Sequence, residues 1–351
     1  MTVFYIILAI LLFGVLIFVH ELGHFLTAKA AGVQVNEFAL FMGPAIWKKQ
    51  KGETLYSLRC IPIGGYCAME GEDGESDNPR AFGRAKVWKR LIILVAGSAM
   101  NFLTGLLMVT LLVAVVWKQI PSRQIAMIED GRPFADTLQA GDAFYSINGE
   151  RVYIENDITM LLDRDADGVH DIVVIRDGEK VELNGVQMQR DFLDEDGKQR
   201  YGFNLTVEEK SVGGVLSYAW NNCIDFARMV RMGLGDLFSG RESVKNMSGP
   251  VQIVAVVTEQ GTQSETVGLG IANVLYLFAF IAVNLAVMNL LPIPALDGGR
   301  VVCLLVTAAF EKIFRRKVNP KYEAYLNGAF MVLLLLLMAV ITFKDIFQLF
   351  G

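Results

Sequence analysis

The amino-acid sequence predicts a polytopic α-helical membrane protein with four transmembrane helices, a β-hairpin between the first two, and an inserted extracytoplasmic β-rich domain. Three observations lead to this fold class. The chain of 351 residues is 53% hydrophobic, and its mean hydropathy is +0.40. Four uncharged apolar stretches approach or exceed the roughly 20 residues that cross a bilayer. Basic and acidic residues are also segregated along the chain, as in proteins whose loops face different compartments.

The first apolar stretch, residues 2–20, leads directly into a group of polar residues. It lacks the basic n-region and the small-residue cleavage site of a signal peptide, so we interpret it as a retained first span. The other three stretches are 91–117, 266–296 and 324–343.

The placement of charge predicts the orientation. Loop 29–90 contains ten Lys and Arg residues and the connection 300–321 contains six, whereas 121–270 has 14 basic against 25 acidic residues. The positive-inside rule therefore places the first two segments in the cytoplasm and 121–270 outside. The net charge of −5, with no basic patch away from the membrane, argues against a nucleic-acid partner.

Between the first two spans, residues 41–72 alternate apolar and polar residues around Gly-Pro and Gly-Gly pairs, which is typical of hairpin strands. The pair Gly64–Gly65 would allow another backbone to approach closely, although a plain tight turn is the commoner reason for such a pair. The four cysteines do not form the pattern of a disulfide framework and are interpreted as structural.

A compact β-rich unit is predicted for residues 121–207, because short apolar strand-like segments alternate there with turn sequences such as Asn-Gly. His170 lies in this segment and is predicted to be a surface residue rather than a metal ligand. Residues 213–238 are predicted to form a helix near the membrane, followed by the sequence SGPVQIV at 248–254.

The sequence HELGH places His20 and His24 one helical turn apart, so both imidazoles can bind one metal ion. Zinc takes such ligands, and Glu21 beside them is suited to act as general base. The alternative is a helix whose three polar residues are satisfied by neighbouring spans. An ionisable group at membrane depth costs about 2.5–3.5 kcal/mol and is functional by default, which favours the metal site.

Asp297 is the best candidate for a third ligand. It follows NLLPIPAL, in which Pro292 and Pro294 must interrupt the helix. Irregular backbone at membrane depth is tolerated where it is buried in protein or lines a wet cavity. The alternative is an aspartate that merely ends a helix at the membrane edge.

The motifs HELGH, PIGGY, SGPVQIV and NLLPIPALDGG together resemble the site-two protease family of intramembrane zinc metalloproteases. The resemblance covers nearly the whole chain and is strongest to the bacterial regulator of sigma-E protease type. It implies one Zn²⁺ per chain, bound by His20, His24 and Asp297, with Glu21 as the catalytic base. Ser98 stands where this family usually has proline.

The resemblance also implies that 121–207 is a single PDZ domain with permuted strands. Its carboxylate-binding loop would be in RYGFNL, which contains Tyr201, Gly202 and Phe203. Asn284 and Asn289 match asparagines near the substrate in this family, although hydrogen bonding between spans explains such residues almost as well. The hairpin residues Gly64 and Gly65 would belong to a membrane-associated hairpin that presents the substrate as a strand.

The predicted organisation has four parts. They are a first membrane core (1–117), the PDZ domain (121–207), a membrane-associated helical connector (208–265) and a second membrane core (266–351). The family implies a location in the bacterial cytoplasmic (inner) membrane, with the active site nearer the cytoplasmic face. The implied substrates are single-span membrane proteins, such as anti-sigma factors already shortened by an upstream site-one type protease, and remnant signal peptides.

Two other function classes remain open from the residues alone. A metal transporter would also hold His and Asp at membrane depth, but it would more often show repeated halves with broken helices in both. A catalytically silent scaffold that binds through the PDZ domain would not need Glu21.

Overall fold

The computed structural model describes residues 1–72, 74, 76–194, 197–242, 249–316, 319 and 321–350. Ser248, the first residue of the SGPVQIV motif, lies outside these residues. The helices in the described residues are α1 (Thr2–Ala31), α2 (Val87–Val115), α3 (Glu155–Leu162), α4 (Val212–Ser239), α5 (Pro250–Thr262), α6 (Val267–Asn289), α7 (Asp297–Phe314) and α8 (Lys321–Phe350). The strands are β1 (Val35–Lys51), β2 (Thr54–Met69), β3 (Ile120–Ile128), β4 (Ala143–Ile147), β5 (Glu150–Arg151), β6 (Val169–Arg176), β7 (Glu179–Gln187), β8 (Phe192–Leu193), β9 (Gln199–Arg200) and β10 (Phe203–Glu208).

Among the described residues, four helices are long and apolar enough to cross a membrane: Thr2–Ala31, Val87–Val115, Val267–Asn289 and Tyr322–Phe347. The polytopic membrane architecture predicted from the sequence is therefore confirmed at this level. The chain separates into two compact units, one formed by Met1–Met108 with Met229–Gly351 and the other by Val109–Arg228. We call them the helical unit and the β-rich unit.

In the helical unit, α1 packs against α5 and α6 through an apolar cluster that includes Tyr5, Leu16 and Phe278. Tyr5 is 1% exposed, and its ring lies where a Cβ at Gly261 would be. The small residue therefore lets the aromatic ring pack directly against the α5 backbone. Helix α1 ends at Ala31, and the next residue, Gly32, has a φ of 84°, the left-handed conformation that often follows a helix.

The hairpin predicted between the first two spans consists of β1 and β2, which pair in antiparallel orientation. Leu40 lies opposite Gly65 in the register. Glu37 on β1 accepts a hydrogen bond from Arg59 on β2 at 2.7 Å and another from Ser57 at 2.7 Å. These cross-strand polar contacts help to fix which residues of the two long strands face each other.

The β-rich unit contains a sheet in the order β10-β3-β4-β6-β7, with β5 paired to β4. The prediction of a β-rich region here is confirmed. The prediction that His170 is a surface residue is wrong, because its exposure is 0%. His170, Ile172 and Val174 alternate with more exposed residues along β6, so the two-residue period of the strand points all three side chains inward.

The stretch after Gly249 forms helix α5, which lies inside the helical connector predicted for 208–265. Helix α7 was not predicted: it includes residues 300–314 of the connection that was interpreted as a basic cytoplasmic loop. Pro250 stands at the beginning of α5, where its missing N–H and fixed φ are tolerated. All four cysteines are free thiols, as the sequence predicts.

Candidate metal centre

The two histidines of HELGH lie on the same face of α1. Their Nε2 atoms are 3.2 Å apart, and their ring planes are inclined by 80° with centroids 4.8 Å apart. His24 is 7% exposed. The four-residue spacing thus brings two nitrogen atoms that could bind a metal close together inside the helical unit, as the helical repeat predicts.

Asp297 reaches this point because the chain breaks between α6 and α7. Residues 290–296, the proline segment, connect the two helices, and Ala295 in it has a positive φ of 76°. Gly298 and Gly299 press against backbone carbonyls of Leu290 and Ile293, where a Cβ could not fit. Glycines at both positions therefore let the proline segment fold back on the first turn of α7, which begins at Asp297.

The three side chains form a nearly equilateral set of donor atoms. Asp297 Oδ2 lies 3.3 Å from His20 Nε2 and 3.4 Å from His24 Nε2. Zinc binds His nitrogen and carboxylate oxygen at about 2.0–2.2 Å, so the edges of a tetrahedral site measure about 3.3–3.6 Å. Among the described residues, this is the one group of three or more His, Cys, Asp or Glu residues whose ligand atoms converge in this way. The donor set fits zinc.

Hydrogen bonding supports the same conclusion. Asp297 Oδ2 is buried and makes no hydrogen bond among the described residues. His24 Nδ1 lies 2.8 Å from the carbonyl oxygen of Ile93 on α2. A carbonyl only accepts, so Nδ1 carries the proton and Nε2 presents its lone pair to the converging group.

Helix α2 closes one side of the group. A Cβ at Gly97 would overlap His24 Nε2 and would stand 2.8 Å from His20 Cε1. On α1, a Cβ at Gly23 would stand 2.5 Å from the carbonyl oxygen of Ala96. These glycines allow α1 and α2 to approach closely enough for both imidazoles to pack on the α2 backbone.

Glu21 lies beside this group and interacts electrostatically with His24, His20 and Asp297. Its Cγ would be 3.1 Å from a Cβ added at Gly65 of β2. The hairpin therefore passes directly against the predicted general base, and a side chain at Gly65 would crowd it. Gly64 adopts a positive φ of 66°.

The two asparagines predicted near the substrate lie on α6. The amide oxygen of Asn284 is buried and makes no hydrogen bond among the described residues. Asn289 is the last residue of α6, where the proline segment begins. Both are half-buried.

Tyr201, Gly202 and Phe203 lie in the β-rich unit and not with the metal-binding group. The Tyr201 hydroxyl donates to Asp163 at 2.7 Å, and burial together with this bond raises the pKa of Tyr201 to about 12. Gly202 has a φ of 84°. Phe203 begins β10, which is an edge strand of the sheet.

Sequence reasoning missed the groups on α2 that contact the histidines. Ile93, Gly97 and Asn101 follow one another at four-residue intervals and so lie along one face of the helix. Gly97 and Asn101 are both in the sequence AGSAMNF. Their spacing indicates a role only once α2 is known to pack on the HELGH segment.

Comparison with known proteins gives the family. A profile of peptidase family M50 matches residues 8–337. A protein of Clostridium acetobutylicum named as a zinc metalloprotease is 33% identical over 361 residues, with 99% of this chain and 98% of that protein covered. The regulator of sigma-W protease RasP of Bacillus subtilis is 28% identical over 428 residues, with 97% and 98% covered. The zinc metalloprotease RasP of Shouchella clausii is 29% identical, again with 97% and 98% covered. The chain therefore belongs to peptidase family M50 and is a zinc-dependent metallopeptidase.

Proposed function

We propose that this metallopeptidase cleaves peptide bonds in or next to transmembrane segments of single-span membrane proteins. The observation that carries the proposal is the convergence of His20, His24 and Asp297 within 4.8 Å, with both histidines on a helix apolar enough to span a membrane. A metallopeptidase whose ligands lie on such a helix acts on bonds that reach the same depth.

In this proposal, His20, His24 and Asp297 hold one zinc ion per chain. When bound, zinc supplies a Lewis acid for the scissile carbonyl and an activated water. The Glu21 carboxylate accepts a proton from the attacking water and later returns it to the nitrogen of the leaving amine. Its position beside both histidines and Asp297 supports this role.

Substrate presentation would fall to the hairpin. A transmembrane helix hides its peptide bonds in its own hydrogen bonds, so a substrate must unwind before it is cut, and its freed N–H and C=O groups then need partners. Residues 37–40 of β1 pair with residues 55–58 of β2 on one side and with residues 65–68 on the other. Among the described residues, the segment 65–69 of β2 therefore has an outer edge that a substrate strand could pair with. Gly65 lies within contact distance of Glu21, which supports assigning Gly64 and Gly65 to this surface, with Asn284 and Asn289 contacting the unwound segment.

The β-rich unit is proposed to be a single PDZ domain that binds an extended peptide along β10. An edge strand preceded by the Gly202 turn supports this assignment. The proposed substrates are anti-sigma factors already cut by a site-one type protease, and remnant signal peptides. The relative from Bacillus subtilis carries the name regulator of sigma-W protease RasP, in keeping with this substrate class.

The proposed location is the bacterial inner membrane, with the basic loops 29–90 and 300–321 in the cytoplasm and the β-rich unit outside. The active site would lie nearer the cytoplasmic face. Labelling of single cysteines introduced into these segments in intact cells tests the orientation. Labelling of the β-rich unit only after permeabilisation would contradict it.

The function is tested with Glu21→Gln in vesicles that contain a single-span substrate. Loss of a general base lowers rates by about 10²–10⁴-fold, so cleavage should fall by that factor while the zinc content stays that of the wild type. Glu259→Gln, an exposed change on α5, is the matched control and should cleave normally. Normal cleavage by Glu21→Gln would overturn the proposed role of Glu21, and failure of the wild type to cut any membrane-embedded bond would overturn the function.

A further inference from the structure

We propose that Asn101 on α2 positions the ring of His20. In this proposal the side-chain oxygen of Asn101 accepts a hydrogen bond from His20 Nδ1–H. The inference rests on the proposed zinc site and adds a residue that holds one ligand in its metal-binding form. Asn101 is 2% exposed. Its amide lies against His20, with Nδ2 3.4 Å from Nδ1 of the ring.

The amide orientation in the structure leaves two groups badly matched. The side-chain oxygen of Asn101 is buried without a hydrogen-bond partner among the described residues. At the same time, an amide nitrogen facing His20 Nδ1 requires a lone pair there and puts the ring proton on Nε2. That proton would point at His24 Nε2, 3.2 Å away, and Asp297 Oδ2, 3.3 Å away, where a metal ion should be.

A half-turn of the Asn101 amide resolves both mismatches. Such a half-turn exchanges the oxygen and nitrogen of the amide and leaves the shape of the side chain almost unchanged. Which of the two orientations is adopted follows from the hydrogen-bond network. With the ends exchanged, Oδ1 accepts from His20 Nδ1–H, and the lone pair of Nε2 faces the ligand group. The buried oxygen then has a partner, and His20 has the tautomer that binds zinc.

The arrangement at His24 is the precedent within this molecule. His24 Nδ1 is held at 2.8 Å by the carbonyl oxygen of Ile93, an acceptor that cannot turn round. Ile93 and Asn101 stand eight residues apart on α2, close to two helical turns, with Gly97 between them. One face of α2 therefore supplies an acceptor to each histidine and a flat backbone beneath both rings.

Such partners matter for metal binding. An acceptor on the far nitrogen fixes the ring and makes the metal-binding nitrogen more basic, and removal of such partners typically costs 10–100-fold in metal affinity. If Asn101 served only to pack α2 against α1, its replacement would lower folding stability. Zinc affinity would then not depend on whether the new side chain keeps a hydrogen-bond acceptor.

The test is zinc affinity, measured by chelator competition on the purified full-length protein. Asn101→Leu keeps the branching of the side chain at Cγ but removes the acceptor, and should weaken zinc binding by about 10–100-fold. Asn101→Asp keeps an acceptor and should bind zinc within a few-fold of the wild type. Thr104→Val is the matched control, since Thr104 is on the same helix and bonds the backbone oxygen of Met100; its affinity should not change.

Thermal unfolding of the metal-free variants separates positioning from packing. Unchanged zinc affinity in a folded Asn101→Leu protein would overturn the proposal. Equal loss of zinc in the Leu and Asp variants, with both unfolding earlier than wild type, would assign Asn101 to packing and overturn it as well. If Asn101→Asp does not fold, the zinc affinity of Asn101→Leu is compared with that of Thr104→Val. Weaker binding by the Leu variant alone supports the proposal, and equal binding overturns it. A wild type that binds zinc but cuts no membrane-embedded bond would refute the proposed function and leave the role of Asn101 standing, whereas a wild type without zinc would refute both.

Discussion

The imidazoles of His20 and His24 touch two residues that have no side chain able to bind metal. Gly97 provides the surface on which both rings rest, and Ile93 provides a backbone acceptor for one of them. At the scale of single residues, the proposed metal site depends on the absence of a side chain at Gly97 of α2 as much as on the proposed ligands His20 and His24 of α1.

Gly97→Ala should therefore damage the metal site without altering any ligand. The new Cβ would overlap His24 Nε2 and crowd His20. Such overpacking costs about 1–3 kcal/mol, which is about 5–150-fold in zinc affinity if the rings move to relieve it. Chelator competition measures the change. Gly268→Ala is the control, because a Cβ there meets nothing within 4 Å, and zinc affinity equal in the two variants would contradict the account.

The sequence was sufficient to predict His20 and His24 as a pair, because residues four apart share one face of a helix, and it put Glu21 directly beside the first of them. It also pointed to Asp297, since paired prolines mark a break in a helix. It could not reveal Gly97 or Asn101, whose roles depend on how two helices pack. For His170, the rarity of buried histidines misled the prediction, whereas the alternation along β6 would have corrected it.

At the scale of elements, the proline segment and α7 were only partly predictable. The break after α6 follows from proline chemistry. The basic residues of 300–321 were interpreted as a cytoplasmic connection, yet residues up to Phe314 are helical. Charge near a membrane indicates the side on which a segment lies, but it does not exclude a helix there.

Helices α3 and α4 are joined in the β-rich unit by buried charges. Arg228 of α4 contacts Asp157 of α3 at 2.8 Å and also pairs with Asp225. The Tyr218 hydroxyl donates to Glu155 at 2.9 Å. Burial, together with the nearby Asp157 carboxylate, raises the pKa of Asp225 to about 7.

A carboxyl whose pKa is higher in the folded protein than in the unfolded chain, about 3.9 for Asp, binds its proton more tightly when folded. Its contribution to stability is therefore complete below about pH 4 and is lost as the pH rises towards 7. Hydrogen-exchange protection of α3 in the intact protein should fall between about pH 4 and pH 7, the pKa values of the unfolded and folded states. Asp225→Asn should reduce this dependence, and the exposed Asp136→Asn should not; equal pH dependence in wild type and Asp225→Asn would refute the assignment.

At the scale of the whole molecule, the metal-binding group and the Gly202 turn belong to different compact units. A change that blocks the proposed peptide groove should then alter which substrates are captured and leave the metal site intact. This division of roles is a prediction about the whole chain, because neither unit alone contains both sites.

Gly202→Trp tests the division. Its side chain would displace Arg132 and fill the turn before β10, so capture and cleavage of full-length substrates should change, while zinc content and cleavage of a bare transmembrane peptide stay near normal. Gly131→Trp is the matched control, since Gly131 also has a positive φ but open space around it. Loss of zinc in a folded Gly202→Trp protein would show that the β-rich unit supports the metal site itself.

The most direct test of the central claim is the zinc content of the purified protein and of Asp297→Ala. We predict about one zinc per chain in the wild type and almost none in the variant, because a catalytic zinc site needs three protein ligands and only His20 and His24 would remain. Glu265→Ala, an exposed change at the same unit, should keep its zinc. A folded Asp297→Ala protein that retains one zinc per chain would contradict the assignment of Asp297 and the metal centre built on it.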